Sequence, residues 1–178
     1  MNAWLPRIAS VRAEAPATLF VRWESGGKVD RVDLSGWIAT GGELLAPLSQ
    51  GELFIRPYVG EYGAAVAWDD NDLLIDAFHL WQIAAEQKPF EASDASAWQE
   101  DMDLSNNEAA DLLGISLSTW NAYKAGSSAV PPPISMICRA AQRDPIIVQA
   151  HLRRRKAGRP RRAPDRARPT ASRPRITE

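Results

Sequence analysis

The side chains best suited to chemistry in this 178-residue chain lie in its last third. One set is Leu117, Asn121 and Lys124, on a short stretch of helical character. An amide such as Asn121 can donate and accept at once, which suits a base edge. A leucine suits a thymine methyl, and a lysine a phosphate. The second set is Arg153, Arg154, Arg155, Lys156, Arg159, Arg161 and Arg162, seven cations within ten residues. Such a run calls for a polyanion partner.

Other reactive residue types are sparse. There are two histidines. His79 neighbours Phe78 and Trp81 and reads as half-buried packing, while His151 adjoins the arginine run and reads as solvent-facing. The single cysteine, Cys138, falls on an apolar helical stripe and reads as a small hydrophobe. No Cys/His spacing fits zinc. Asp69-Asp70-Asn71-Asp72 lacks the glycine and distal glutamate of a calcium loop and reads as a turn built from Asx side chains. Ser25-Gly26-Gly27-Lys28 precedes no helix, so it reads as a hairpin turn rather than a phosphate cradle. No catalytic constellation, metal or cofactor is expected, and the chain reads as a non-enzyme.

Charge is unevenly distributed. Residues 1–100 carry 7 basic and 15 acidic side chains, a net of −8; residues 101–150 carry a net of −2, and residues 151–178 a net of +9. The body is acidic and the tail strongly basic. No apolar run is long enough to span a membrane and no signal-peptide core is evident, so a cytoplasmic protein, nucleoid-associated when bound to DNA, is expected.

The elements that must position these groups follow from periodicity. Residues 7–13, 18–24 and 29–34 alternate as strands, with the Ser25–Lys28 turn between the last two. Residues 35–39 suit a helical turn. Residues 52–59 and 64–68 read as extended, then Leu73-Leu74-Ile75. Asp76 suits the cap of a helix running to about Gln87, ended by Pro89. A small α+β domain over 1–90, with an antiparallel sheet and helices, is the expectation. Polar residues 91–94 read as a linker.

Residues 95–155 read as all helix. Ala95 to Met102, carrying Trp98, forms the first. Ser105-Asn106-Asn107-Glu108 fits a capping box for the second, with Ala109, Ala110, Leu112 and Leu113 as its apolar stripe. Gly114 stops that helix, Ile115 plugs the turn, and Ser116 caps a third helix whose Trp120 and Tyr123 share one inward face. Gly126 ends it. Pro131 to Pro133 start a fourth helix with Ile134, Ile137, Cys138 and Ala141 inward, and Asp144-Pro145 a fifth. Residues 156–178 are Arg/Pro/Ala-rich and expected to be disordered.

Two resemblances rest on these residues. Arg7-Ile8-Ala9-Ser10-Val11, Val32-Asp33-Leu34-Ser35, Pro47-Leu48, Leu53-Phe54 and Val66-Ala67-Trp68 before an acidic turn resemble the bacterial domain-of-unknown-function 2442 family, a module found alone or ahead of a helix-turn-helix. It implies a fold and no catalytic residue. Ala110, Gly114, Ile115, Trp120 and Tyr123 in that order resemble the λ-repressor-like (Xre-type) helix-turn-helix family, which implies five helices. It also implies that Ser116, Leu117, Ser118, Asn121 and Ala122 face the major groove of double-stranded DNA. Gly158-Arg159-Pro160 resembles the core of an AT-hook, with Ala157 where that motif has arginine. A nonspecific polycationic tail is the simpler reading.

The expectation is therefore a sequence-specific DNA-binding protein, a bacterial transcriptional regulator whose tail adds phosphate or minor-groove contacts. Homodimers on spaced half-sites would suit it. The alternative is a protein-interaction module, such as the antitoxin half of a toxin–antitoxin pair, whose acidic N-terminal domain neutralises a basic protein partner and whose DNA binding is secondary.

Overall fold

The computed structural model describes residues 5–69 and 73–153. Asp70, Asn71 and Asp72 of the acidic turn, Trp4, the Gly158-Arg159-Pro160 motif and the tail expected over 156–178 lie outside the described residues.

Three strands, β1 (Ile8–Glu14), β2 (Thr18–Trp23) and β3 (Val29–Asp33), form an antiparallel sheet with β2 in the middle. The Ser25–Lys28 turn sets its register, pairing Arg22 with Val29 and Thr18 with Asp33. Gly26 and Gly27 supply the positive φ that this turn needs. The central strand buries Leu19, Val21 and Trp23, and the Trp23 indole N–H donates across the hairpin to Asp30. A second antiparallel sheet joins β4 (Tyr58–Val59), β5 (Ala65–Trp68) and β6 (Leu73–Asp76).

Between the sheets run α1 (Ser35–Thr40), α2 (Gly42–Leu45), a 3₁₀ turn (Ala46–Ser49) and α3 (Gly51–Phe54); a 3₁₀ turn (Glu61–Gly63) lies between β4 and β5. Gly63 has a φ of 68°, and a Cβ there would sit 2.6 Å from the Ile8 carbonyl oxygen. Only glycine lets this turn close against β1. Helix α4 (Ala77–Gln87) follows β6 directly, capped by the Asp76 carboxylate, which accepts from His79 N–H. One core of Leu19, Val32, Leu48, Phe54, Trp68 and Leu80, with their buried neighbours, fills this half.

The expected strand over 52–59 is corrected at its start: Glu52 to Phe54 belong to α3, and only Tyr58 and Val59 are strand. The run Leu53-Phe54-Ile55 carries no clear period, so tertiary contacts decide. Phe54 is fully buried and stacked on Trp68, whose indole donates to the Phe54 carbonyl, while Ile55 is half exposed. A helical turn allows both at once.

The remaining helices are α5 (Ala92–Asp101), α6 (Asn106–Leu113), α7 (Leu117–Lys124), α8 (Pro132–Arg143) and α9 (Pro145–His151). Their separate core holds Ala95, Trp98, Ala109, Ala110, Trp120, Ile134 and Cys138. Trp98 and Trp120 meet edge to face at 5.6 Å, a pairing that adds about 1 kcal/mol to their burial. The expected linker over 91–94 is also corrected. Glu91 is the N-cap of α5 and Ala92 to Asp94 its first turn, with the Asp94 carboxylate accepting from Glu91 N–H. The polarity that reads as linker is what a helix start needs. Ile137 is more exposed than its place on the apolar stripe implies.

Arg139 on α8 joins the two halves. Its guanidinium donates to the carbonyls of Glu86 (2.6 Å) and Lys88 (2.7 Å) at the end of α4, and Arg143 pairs with the Glu86 carboxylate. Those carbonyls have no partner within α4, so α8 supplies the C-terminal cap that the sequence of α4 lacks.

Candidate nucleic-acid interface

Helices α6 and α7 are built by local rules that the sequence carries. The Ser105 hydroxyl accepts from Glu108 N–H, and the Glu108 carboxylate accepts from Ser105 N–H at 3.0 Å. Gly114 then adopts the left-handed conformation at φ 67° and donates its N–H to the Asp111 carbonyl. This conformation costs a Cβ-bearing residue about 1–2 kcal/mol. Ile115 follows, half-buried against the helical core. Ser116 is the N-cap of α7 and accepts from Thr119 N–H at 3.1 Å. The two helices are thus joined by only three residues, and α7 presents a fixed face.

Trp120 is fully buried and Tyr123 nearly so. Ser116, Leu117, Ser118 and Asn121 are exposed on the other side, and Ala122 is half-buried. These five predicted groove-facing positions therefore share the outer part of α7 and its cap. Only some of them are free to meet a ligand. The Ser116 hydroxyl is already bonded to Thr119 and Ser118, both within 3 Å. The Asn121 amide and the Leu117 side chain are the groups left to read a surface.

Lys124 is bonded within the chain. Its ammonium donates to the Gln99 amide oxygen at 2.9 Å and to Asn106 Oδ1 at 3.0 Å. Gln99 was not marked by the sequence. From α5, its Oε1 also accepts the Trp120 indole N–H at 2.8 Å, and its Nε2 donates to the Leu104 carbonyl at 2.8 Å. One amide thus fixes the inward side of α7, the end of α7 and the turn between α5 and α6. No local signal could reveal it, since its partners on α7 lie 21 and 25 residues away.

Electrostatics limit what this face does alone. The described cations of the helical half are Lys124, Arg139, Arg143 and Arg153, and each is already hydrogen-bonded within the chain; Arg153 donates to the Ala150 and Leu152 carbonyls. Arg154, Arg155, Lys156, Arg159, Arg161 and Arg162 lie outside the described residues. Burial pushes the Cys138 thiol up to about 12, so it is a protonated core side chain rather than a nucleophile. His79, expected to be half-buried, is exposed: the apolar side of α4 is set by Ala77, Leu80 and Ala84, and residue 79 falls opposite. His151 is exposed as expected. Among the described residues there is no cluster of three or more metal-ligating side chains, and no helix is long and apolar enough to cross a membrane.

The chain matches no family model, and no curated protein matches it. A crystal structure of a Nitrosomonas europaea protein to which DNA binding has been ascribed is similar at 27% identity and a TM-score of 0.42, over 80% of this chain and 90% of that one.

Proposed function

We propose that the protein binds double-stranded DNA as a λ-repressor-like regulator, with α7 as the helix that enters the major groove. The observation that carries this reading is the α6–α7 pair. Two helices are locked at a three-residue turn by a left-handed glycine and a serine cap, and the outer face of α7 keeps Asn121 and Leu117 unspent. In the groove, Asn121 pairs with an adenine edge and Leu117 meets a thymine methyl. The N–H groups at the start of α6 and α7 point to phosphate.

Affinity on this reading comes mostly from the tail. Each neutralised phosphate releases counterions, and the described cations of the helical half are already engaged. Arg154, Arg155, Lys156, Arg159, Arg161 and Arg162 follow α9 within eleven residues of sequence, and their tethering supplies phosphate contacts at high effective concentration. Selection from random-sequence duplex at moderate salt, with the full chain and with a chain ending at Arg153, tests the division of labour. The reading expects one shared motif from both, with weaker binding by the shorter chain. Enrichment that vanishes with the tail rejects α7 as the reader.

The same charge pattern favours a second reading. Residues 1–100, the N-terminal half, carry a net charge of −8. A basic protein partner, as for an antitoxin, suits that charge. A basic protein that copurifies in stoichiometric amount supports it.

A further inference from the structure

A cleft of about 360 Å³ opens between α1 and α4 in the N-terminal half, within the size range of small-ligand sites. Its apolar surface comes from Trp37 and Ile83, both half-buried. Trp37 is held by stacking on Trp68 at 6.4 Å. Gly36 lines it without a side chain, and a Cβ there would meet nothing within 4 Å.

A hydrogen-bond account of the lining shows what remains for a ligand. Gln87 spends its amide on the backbone N–H and carbonyl of Asp33, at 2.8 and 2.6 Å. Thr40 donates to the Gly36 and Trp37 carbonyls. The Ser35 N–H is committed to the Asp33 carboxylate at 2.8 Å. Ser35, by its N–H and its hydroxyl, and more weakly the charge of Arg31 hold that carboxylate below its usual range, so Asp33 is ionised at neutral pH. Among the described residues no basic group lies within ion-pairing distance of Asp33, and the exposed His79 imidazole has no hydrogen bond. The cleft thus offers a carboxylate without an ion pair within 4 Å, an imidazole and an indole.

We propose that this cleft binds a small organic cation, an amine or guanidine whose N–H groups meet Asp33 and whose carbon body lies against Trp37 and Ile83. An anion would face the carboxylate, and a bare metal ion would find one carboxylate and one imidazole, short of the ligands it needs. A soft organic cation gains from both the charge and the indole face. The cleft shares the last turn of α4 with the clasp to α8: Gln87 braces Asp33, and Glu86 beside it is held by Arg139 and Arg143. The proposal does not depend on DNA binding.

The test uses the full chain labelled with ¹⁵N, following the indole resonance of Trp37, assigned with Trp37→Phe. The probes are agmatine and butylamine as cations, butyramide as a neutral amide and glutarate as an anion. A saturable shift with agmatine or butylamine, absent with the other two, is expected. Asp33→Asn, which keeps the oxygen that Ser35 N–H uses, should weaken binding about tenfold. Gly36→Leu should abolish it while leaving Tm unchanged or higher, since it fills empty space and favours helix. No saturable shift with either cation up to millimolar concentration, an equal response to butyramide or glutarate, or binding undiminished in both variants overturns the proposal.

Discussion

Replacing Gln99 by alanine removes an acceptor shared by two groups on α7 and a donor to the α5–α6 turn. The Trp120 indole N–H is deeply buried, and leaving it bare costs about 1–3 kcal/mol. The bonds to Lys124 and to the Leu104 carbonyl are part-buried and contribute about 0.5–1.5 kcal/mol each. A loss of about 3 kcal/mol follows, a large share of the roughly 5–15 kcal/mol that holds a domain folded. Gln99→Glu separates the contributions. It keeps the acceptor for Trp120 and turns the Lys124 contact into an ion pair, but sets a carboxylate oxygen against the Leu104 carbonyl in place of the donation. It should cost less than alanine, because the buried indole stays bonded. Urea unfolding followed by tryptophan fluorescence measures both. A cost below about 1 kcal/mol for alanine, or an equal cost for the two variants, would refute the assignment of Gln99 as the brace of α7.

Gly114→Ala, at φ 67° with open space around it, should cost about 1–2 kcal/mol. Gly63→Ala should cost clearly more, because its Cβ also runs into the Ile8 backbone; thermal unfolding of the pair gives the order. The Cys138 thiol, raised to about 12 by burial, should resist a thiol reagent at pH 8 until the helical half unfolds. Because the unfolded chain gives up that proton near the usual thiol value while the folded one holds it, its contribution is intact below that value and lost as pH rises toward the folded one. Arg139→Met removes the donors to the Glu86 and Lys88 carbonyls. Hydrogen exchange in the last turn of α4 should speed up, with the amides of β2 unchanged.

What could be read from the sequence divides by the range of the interaction. The caps at Asp76, Ser105 and Ser116, the left-handed glycine at 114 and the hairpin at Gly26-Gly27 are set by neighbours within four residues, and their residue types carry the signal. Leu53 to Ile55 carry no decisive period, and the contact with Trp68 makes α3 of them. The polar stretch at Glu91 to Asp94 conceals a helix start, since capping chemistry and linker composition use the same residues. The outer face of α7 follows from the inward placement of Trp120 and Tyr123. The Gln99 network and the Arg139 clasp join residues 21 to 53 positions apart, where spacing holds no information. The commitment of Lys124 to its own fold is hidden for the same reason.

The central claim is that the outer face of α7 reads DNA sequence. The most direct measurement is the affinity ratio between a selected duplex and a scrambled one, for the parent chain and for Asn121→Ala. Asn121 is exposed, so its replacement should leave the fold intact. The account predicts that the ratio falls by about 1–3 kcal/mol, roughly 5- to 150-fold, with binding to the scrambled duplex unchanged. An unchanged ratio, with both affinities intact, would contradict it.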